Sequence, residues 1–208
     1  NFVYLDNIML AEAALIKNGA FNAGLSGFAP YIYTSDLASY VVDSINNPSS
    51  FVMTINDTGA DTADNDWYVQ LNQDNLTLEQ GKTYSISFKA KSTIERKIRY
   101  ALQKNGGDWA NYSKTENPIN LTTEWQTFTK EFTMDSDTDT ATRFNITMGS
   151  VGGERITAKH DVIIDDIELK EIAGAATPEQ KDADKEAADA VKELIKAIGT
   201  VEATDACK

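Results

Sequence analysis

Apolar and polar residues alternate along most of this chain. Tyr84-Ser85-Ile86-Ser87-Phe88-Lys89-Ala90 and Phe128-Thr129-Lys130-Glu131-Phe132-Thr133-Met134 change character at nearly every step, the period of a strand with one face buried. Residues 39–42, 50–55, 67–73, 98–103, 142–148 and 162–169 read the same way, rich in β-branched and aromatic side chains and bounded by Gly, Asn and Asp. Turn signals recur about every ten residues, and no helical pattern falls between the runs. Short strands at that spacing predict an all-β chain, a jelly-roll β-sandwich of two antiparallel sheets with Greek-key links, rather than βαβ units.

After Ile172 the composition shifts to Ala, Glu, Lys and Asp. Thr177-Pro178-Glu179 supplies an N-cap, a proline at the first helical position and an acid beside it, while Gly199 supplies the stop. Ala187, Val191, Leu194, Ile195 and Ile198 share one face at three-to-four spacing, so a C-terminal amphipathic helix is expected. Its apolar face needs a partner: it is similar to the opening helix of the helical spacer repeats of Gram-positive surface proteins, and a helix packed on the β domain is the competing reading. Val3-Tyr4-Leu5-Asp6-Asn7-Ile8-Met9-Leu10 also echoes Val162-Ile163-Ile164-Asp165-Asp166-Ile167-Glu168-Leu169, as if one closing strand preceded another. The expected organisation is therefore residues 1–14 as the closing strand and linker of a preceding similar module, 15–173 as the sandwich, and 174–208 as a helical linker or spacer. With no initiator Met and no signal peptide, the chain reads as a piece of a longer protein.

Composition narrows the partners. At 208 residues, 41% apolar and 25% charged, the chain is neither disordered nor collagen-like. A formal charge of −13 repels phosphate backbones, anionic membranes and polyuronates. No apolar run approaches the roughly 18 residues that span a bilayer. Cys207 is the single cysteine and His160 the single histidine, so metal sites built on several Cys or His are excluded. His160 itself reads as a polar residue in a loop before a strand. Among thirty-two acids, Glu116 and Glu124 could be paired carboxylates, but nothing separates them from solvated surface acids, and no phosphate loop or nucleophile elbow is present.

Several segments in order carry a resemblance: Asn18-Gly19-Ala20-Phe21-Asn22, then Asn65-Asp66-Trp67-Tyr68-Val69-Gln70-Leu71, Leu76-Thr77-Leu78-Glu79-Gln80-Gly81-Lys82-Thr83-Tyr84, Leu121-Thr122-Thr123-Glu124-Trp125-Gln126 and Ile164-Asp165-Asp166-Ile167. Residues 15–172 resemble β-sandwich carbohydrate-binding modules of the family 4, 9, 16 and 22 type. The resemblance implies a jelly roll attached to a secreted polysaccharide-degrading enzyme. A pyranose offers a C–H face and a rim of hydroxyls, so a binder needs exposed rings and amide or carboxylate groups. Alternation puts Trp67, Val69 and Leu71 on one face and Tyr68 and Gln70 on the other, and leaves open which faces a ligand. By resemblance Trp67 is the platform and Gln70 a hydroxyl partner. Trp109 follows the Asn105-Gly106-Gly107 turn, where a bulky ring has little to bury against. Gln103, Trp109 and Tyr112 fall where the family's groove residues lie. Phe28, where the family often has a tryptophan, is expected to pack, and Trp125 to be structural.

The resemblance also implies one structural calcium, held through Gly19, Asn22 and Asp165, although Asn22 stands where the family usually has an acid. Oxygen ligands suit that hard ion. The expectation is a non-catalytic, monomeric module, secreted or on the bacterial cell surface, that binds a plant or fungal cell-wall polysaccharide (β-glucan, xylan or mannan). Its partners would be a polysaccharide or oligosaccharide, an attached glycoside hydrolase and a tandem similar module, with no nucleic acid and no membrane. A structural spacer or adhesion domain is the alternative.

Overall fold

Among the described residues, ten strands form two antiparallel sheets. In the computed structural model, which describes residues 14–45, 49–59, 64–172, 186 and 189–193, they are β1 (Ala29–Ile32), β2 (Ala38–Asp43), β3 (Ser50–Ile55), β4 (Val69–Leu78), β5 (Thr83–Ser92), β6 (Arg96–Gln103), β7 (Ile119–Leu121), β8 (Gln126–Thr133), β9 (Asp139–Thr147) and β10 (His160–Ile172). The first sheet runs β1-β4-β9-β6-β7 and the second β2-β3-β10-β5-β8. Consecutive strands repeatedly change sheet, which is the β-sandwich that the alternating pattern predicts.

Parity along each strand decides what goes inside. Val69 and Leu71 on β4, Ile98 and Leu102 on β6, and Phe144 and Ile146 on β9 meet Phe51, Met53, Ile86, Phe88, Val162 and Ile164 from the other sheet in one core, each of them at most 1% exposed. Burying such a side chain stabilises by about 1.5–3 kcal/mol. The intervening residues of β4, β6 and β9 make the outer face of the first sheet. The two edge strands escape the sequence pattern. β1 is four residues long and contains Pro30, which an edge strand tolerates because a ladder hydrogen bond is not required of it; β7 is three residues long.

The segment before β1 is tied down by polar contacts. Gln73 is 2% exposed, and its amide accepts from Lys17 N–H at 2.7 Å and donates to Lys17 C=O at 2.9 Å. Gly19 lies so close to β10 that a Cβ there would sit 1.8 Å from the Ile167 carbonyl oxygen, so no other residue fits.

Two local expectations change. Trp67 is not on a strand: Asp66–Tyr68 is a single 3-10 turn that ends where β4 begins. His160 is not a loop residue but the first residue of β10, 3% exposed, because its two ring nitrogens find partners inside. The expected segment 1–14 lies outside the described residues save for Ala14. Chain contacts separate residues 1–172 from 173–208; in the second unit, Glu186 and residues 189–193 are helical and exposed, and the rest of the expected helix lies outside the described residues.

Candidate functional site

The outer face of the first sheet carries a cleft of about 510 Å³. Strand register builds its floor in rows. Tyr31, Gln70, Thr147 and Arg99 lie opposite one another across β1, β4, β9 and β6; Ala29, Asn72, Asn145 and Ala101 form the next row; Arg143 and Gln103 follow. Small Ala101 leaves a hollow beside Asn145. Arg143 and Thr147 stand four residues apart on β9, about 13 Å at the rise of a strand, which is longer than one pyranose ring.

Trp67 stands at one end, 41% exposed, and Trp109 lines the same cleft, 49% exposed. The turn that carries Trp67 is held from both sides. Tyr68 N–H donates to Asn65 C=O at 3.1 Å, and the indole meets Tyr68 and Tyr33 edge-on at 4.6 and 5.3 Å, while Tyr33 stacks on Tyr68 at 4.5 Å. Trp109 adopts φ of 53°, a left-handed conformation that costs a bulky residue on the order of 1 kcal/mol. Its N–H donates to Gly106 C=O, and its ring centroid lies 5.6 Å from the Arg143 guanidinium, within cation–π range. Arg143 is in turn forked onto Asp74, at 2.6 and 2.9 Å. A bulge between Gln73 and Leu76, with Asn75 at φ of 61°, turns that carboxylate toward it.

Gln70 lines the cleft, yet its amide is already engaged. Its Nε2 donates to Trp67 C=O at 2.6 Å, and its Oε1 accepts from Asn145 Nδ2, which also donates to Asn72 Oδ1. Gln70 thus fixes the backbone of Trp67. Gln103 lines the cleft wall with Asn111 and Glu116. Arg99 is bound by Asp64 at 2.7 Å and by Asp66 at 3.2 Å, and Thr147 Oγ1 donates to Asp66. The Asp64 hydrogen bond raises the Arg99 pKa, and the same contact lowers that of Asp64. Tyr112 lies elsewhere. Its hydroxyl donates to Asp139 at 2.9 Å, and burial, reinforced by that carboxylate, pushes its pKa up to about 12; its N–H donates to Leu102 C=O, so it anchors the loop that presents Trp109.

The structure thus brings Trp67, Gln70, Gln103 and Trp109 together and sets Tyr112 apart. The reading of the sequence overlooked Tyr33, Ala101, Arg143, Asn145 and Asp74. Alternation on β6 and β9 would have put Ala101, Arg143 and Asn145 on an outer face, but only the strand order makes them neighbours. Phe28 packs in the core beside Phe21, 4.9 Å between rings. Trp125 is 44% exposed, with Lys91 Nζ 5.0 Å from its ring centroid.

Residues 13–155 match the family model CBM_4_9, Carbohydrate binding domain. This chain belongs to that family. The module is 31% identical over 133 residues to a cellulose 1,4-beta-cellobiosidase of Acetivibrio thermocellus, a match that covers 62% of this chain and only 14% of that protein. A solved family 4 structure ("CBM4 structure and function") is 28% identical, with a TM-score of 0.59 over 76% of this chain and 99% of its own. The N-terminal cellulose-binding domain of Cellulomonas fimi beta-1,4-glucanase C is 18% identical, with a TM-score of 0.54, covering 76% of this chain and 97% of its own, a likeness of fold. The family is one of non-catalytic modules, and a polysaccharide is the partner it implies.

Of the residues that the resemblance assigns to calcium, Asp165 lies at the bulge of β10 and Gly19 packs against Ile167 beside it. Asp165 is 3% exposed and accepts at Oδ1 from the Asp166 N–H; burial raises its pKa, the condition in which a neighbouring cation would favour the charged form. Gly19 C=O accepts from Ile167 N–H at 3.1 Å, and Asn22 is exposed. No three His, Cys, Asp or Glu side chains converge among the described residues, so an ion there would rest on Asp165 with backbone carbonyl oxygens such as that of Gly19, donors of the kind a hard cation takes.

Proposed function

We propose that this module binds a neutral plant or fungal cell-wall polysaccharide chain, a β-glucan, xylan or mannan, in the Trp67–Trp109 cleft and holds an attached glycoside hydrolase against it. One observation carries this reading: two half-exposed indoles and a floor of amides share one cleft. The rings would stack on sugar C–H faces, and Gln103 and Asn111 would meet hydroxyls, over a floor braced by Asn145. Neutrality is argued from charge. Arg99 and Arg143 are already engaged by Asp64, Asp66 and Asp74, so among the described residues the cleft lining has no unpaired cation for a uronate, and the net charge of −13 repels one. The likeness to a cellobiosidase favours β-1,4-linked glucan and an attached catalytic domain; a module that meets a cell-wall polymer would work outside the cell or on its surface. Stacking adds about 0.5–1.5 kcal/mol per ring beyond area burial, and association entropy offsets much of the gain, so affinity is weak to moderate. Tethering then raises the effective concentration of the enzyme at its substrate.

Affinity electrophoresis on soluble β-glucans, xylan, mannan and polygalacturonate tests this directly. Retardation is expected by at least one neutral polymer and not by polygalacturonate, with no release of reducing ends. Absence of retardation by every neutral polymer would leave the spacer reading in its place. Calcium belongs to the same proposal, with Asp165, Gly19 and Asn22 as its holders and rigidity of the β10 bulge as its contribution. A chelator is expected to lower Tm and added calcium to restore it; an unchanged Tm removes the ion from the account.

A further inference from the structure

The turn that presents Trp67 rests on the segment that follows β9, and that segment rests on a buried pair the binding cleft does not contain. Gly149 N–H donates to Asp66 C=O at 2.8 Å, and Met148 N–H donates to Val69 C=O at 2.7 Å. A Cβ on Gly149 would meet the Asn65 carbonyl oxygen at 2.3 Å, so the two backbones pack without a side chain between them. The carbonyls of Met148 and Gly149 are held in turn by Arg96 Nη2. Arg96 is 6% exposed, and its Nη1 lies 2.6 Å from His160 Nε2, while His160 Nδ1 lies 2.7 Å from Ala158 C=O.

The donors and acceptors fix the tautomer. With Nδ1–H donating to Ala158, the ring can accept from Arg96 only while Nε2 carries no proton. Among the described residues no carboxylate is a hydrogen-bond partner of Arg96, so its charge is met there by carbonyls and one imidazole, and removing any of these leaves a buried cation short of partners.

We propose that Arg96 and His160 act as a positioning strut for Trp67, and that acid releases it by putting a proton on the imidazole that Arg96 needs as an acceptor. The charged groups facing His160 are Arg96 from β6, which opposes that proton, and Asp161 from β10, which favours it; β3 opposes the ring with apolar Ile55. Burial, with Arg96, holds the His160 pKa below its ordinary value, against a raising contribution from Ala158. The neutral ring is therefore the native form above the ordinary histidine pKa, and its contribution is lost as pH falls below that value through the folded one. This inference rests on Trp67 being a sugar platform only for its consequence in binding, not for the strut itself.

The test separates the two. In the intact chain carrying Trp109→Phe and Trp125→Phe, Trp67 is the one indole left, and its emission and acrylamide quenching are followed from pH 8 down to the onset of unfolding measured by far-UV circular dichroism. Constant emission is expected above about pH 6.5, then a rise in quenching before unfolding begins, and the loss of that response in His160→Gln, which keeps a neutral acceptor and cannot titrate. A response that persists in His160→Gln, or none before unfolding, overturns the strut. In the chain with all three tryptophans, affinity for cellohexaose should fall across the same range by at most about tenfold for each unit by which release of the strut shifts the His160 pKa. A Trp67 response with no cellohexaose binding at any pH would support the strut and count against the glucan.

Discussion

At Arg143 a bidentate carboxylate and an indole meet one guanidinium. Asp74 and Arg143 are only partly exposed, with side-chain exposures of 30% and 19%, so their pairing is screened less than a surface ion pair but still stabilises by only about 1 kcal/mol. Its consequence lies in geometry: a fork held at two points cannot swing from under Trp109. Asp74→Asn keeps an acceptor and loses the charge. It is expected to weaken glycan binding about fivefold, roughly 1 kcal/mol, with Tm changed by a few degrees at most; an unchanged affinity in a titration would show that Trp109 needs no such support. Gln70 carries a different lesson. By resemblance it is a hydroxyl partner; its amide also holds the Trp67 carbonyl and accepts from Asn145, which leaves one N–H and one lone pair for a hydroxyl. Residue type alone shows that an amide is present; which partner it meets depends on β9, more than seventy residues away.

Elements were legible wherever both sides of a strand had different environments. β2, β3, β5, β6 and β10 contain the runs expected from alternation, and β8 and β9 contain theirs except for the last residue, because one face packs on the core and the other meets solvent. β1 and β7 were not legible: an edge strand of three or four residues gives too few alternations, and Pro30 speaks against a strand except at an edge. The displacement of Trp67 from strand to 3-10 turn has a physical origin in its neighbours. Asn65 and Asp66 favour turns, and the backbone of Gly149 approaches so closely that the turn can be buttressed there. His160 was misplaced for the same kind of reason, since the partner that lets a histidine sit inside, Arg96, is on another sheet. The N-terminal segment was legible as motif and not as structure. Gly19 is demanded by a contact with Ile167 on the last strand.

For the molecule as a whole, the core and the cleft are two faces of the same three strands, so binding residues can change without loss of the fold. Trp67 and Trp109 line the outer cleft, 41% and 49% exposed, while Phe144 and Ile146 on the inner face of β9 are fully buried. Affinity and stability should therefore separate. Isothermal titration of the intact chain with the neutral glycan that retards it, set beside Trp67→Ala and Trp109→Ala, measures that separation. Each substitution is expected to weaken binding tenfold or more, at least about 1.4 kcal/mol, while Tm falls by no more than about 4 °C, the scale of 1 kcal/mol in a domain of this size. Undiminished affinity in both folded variants would contradict it and place the sugar elsewhere on the protein.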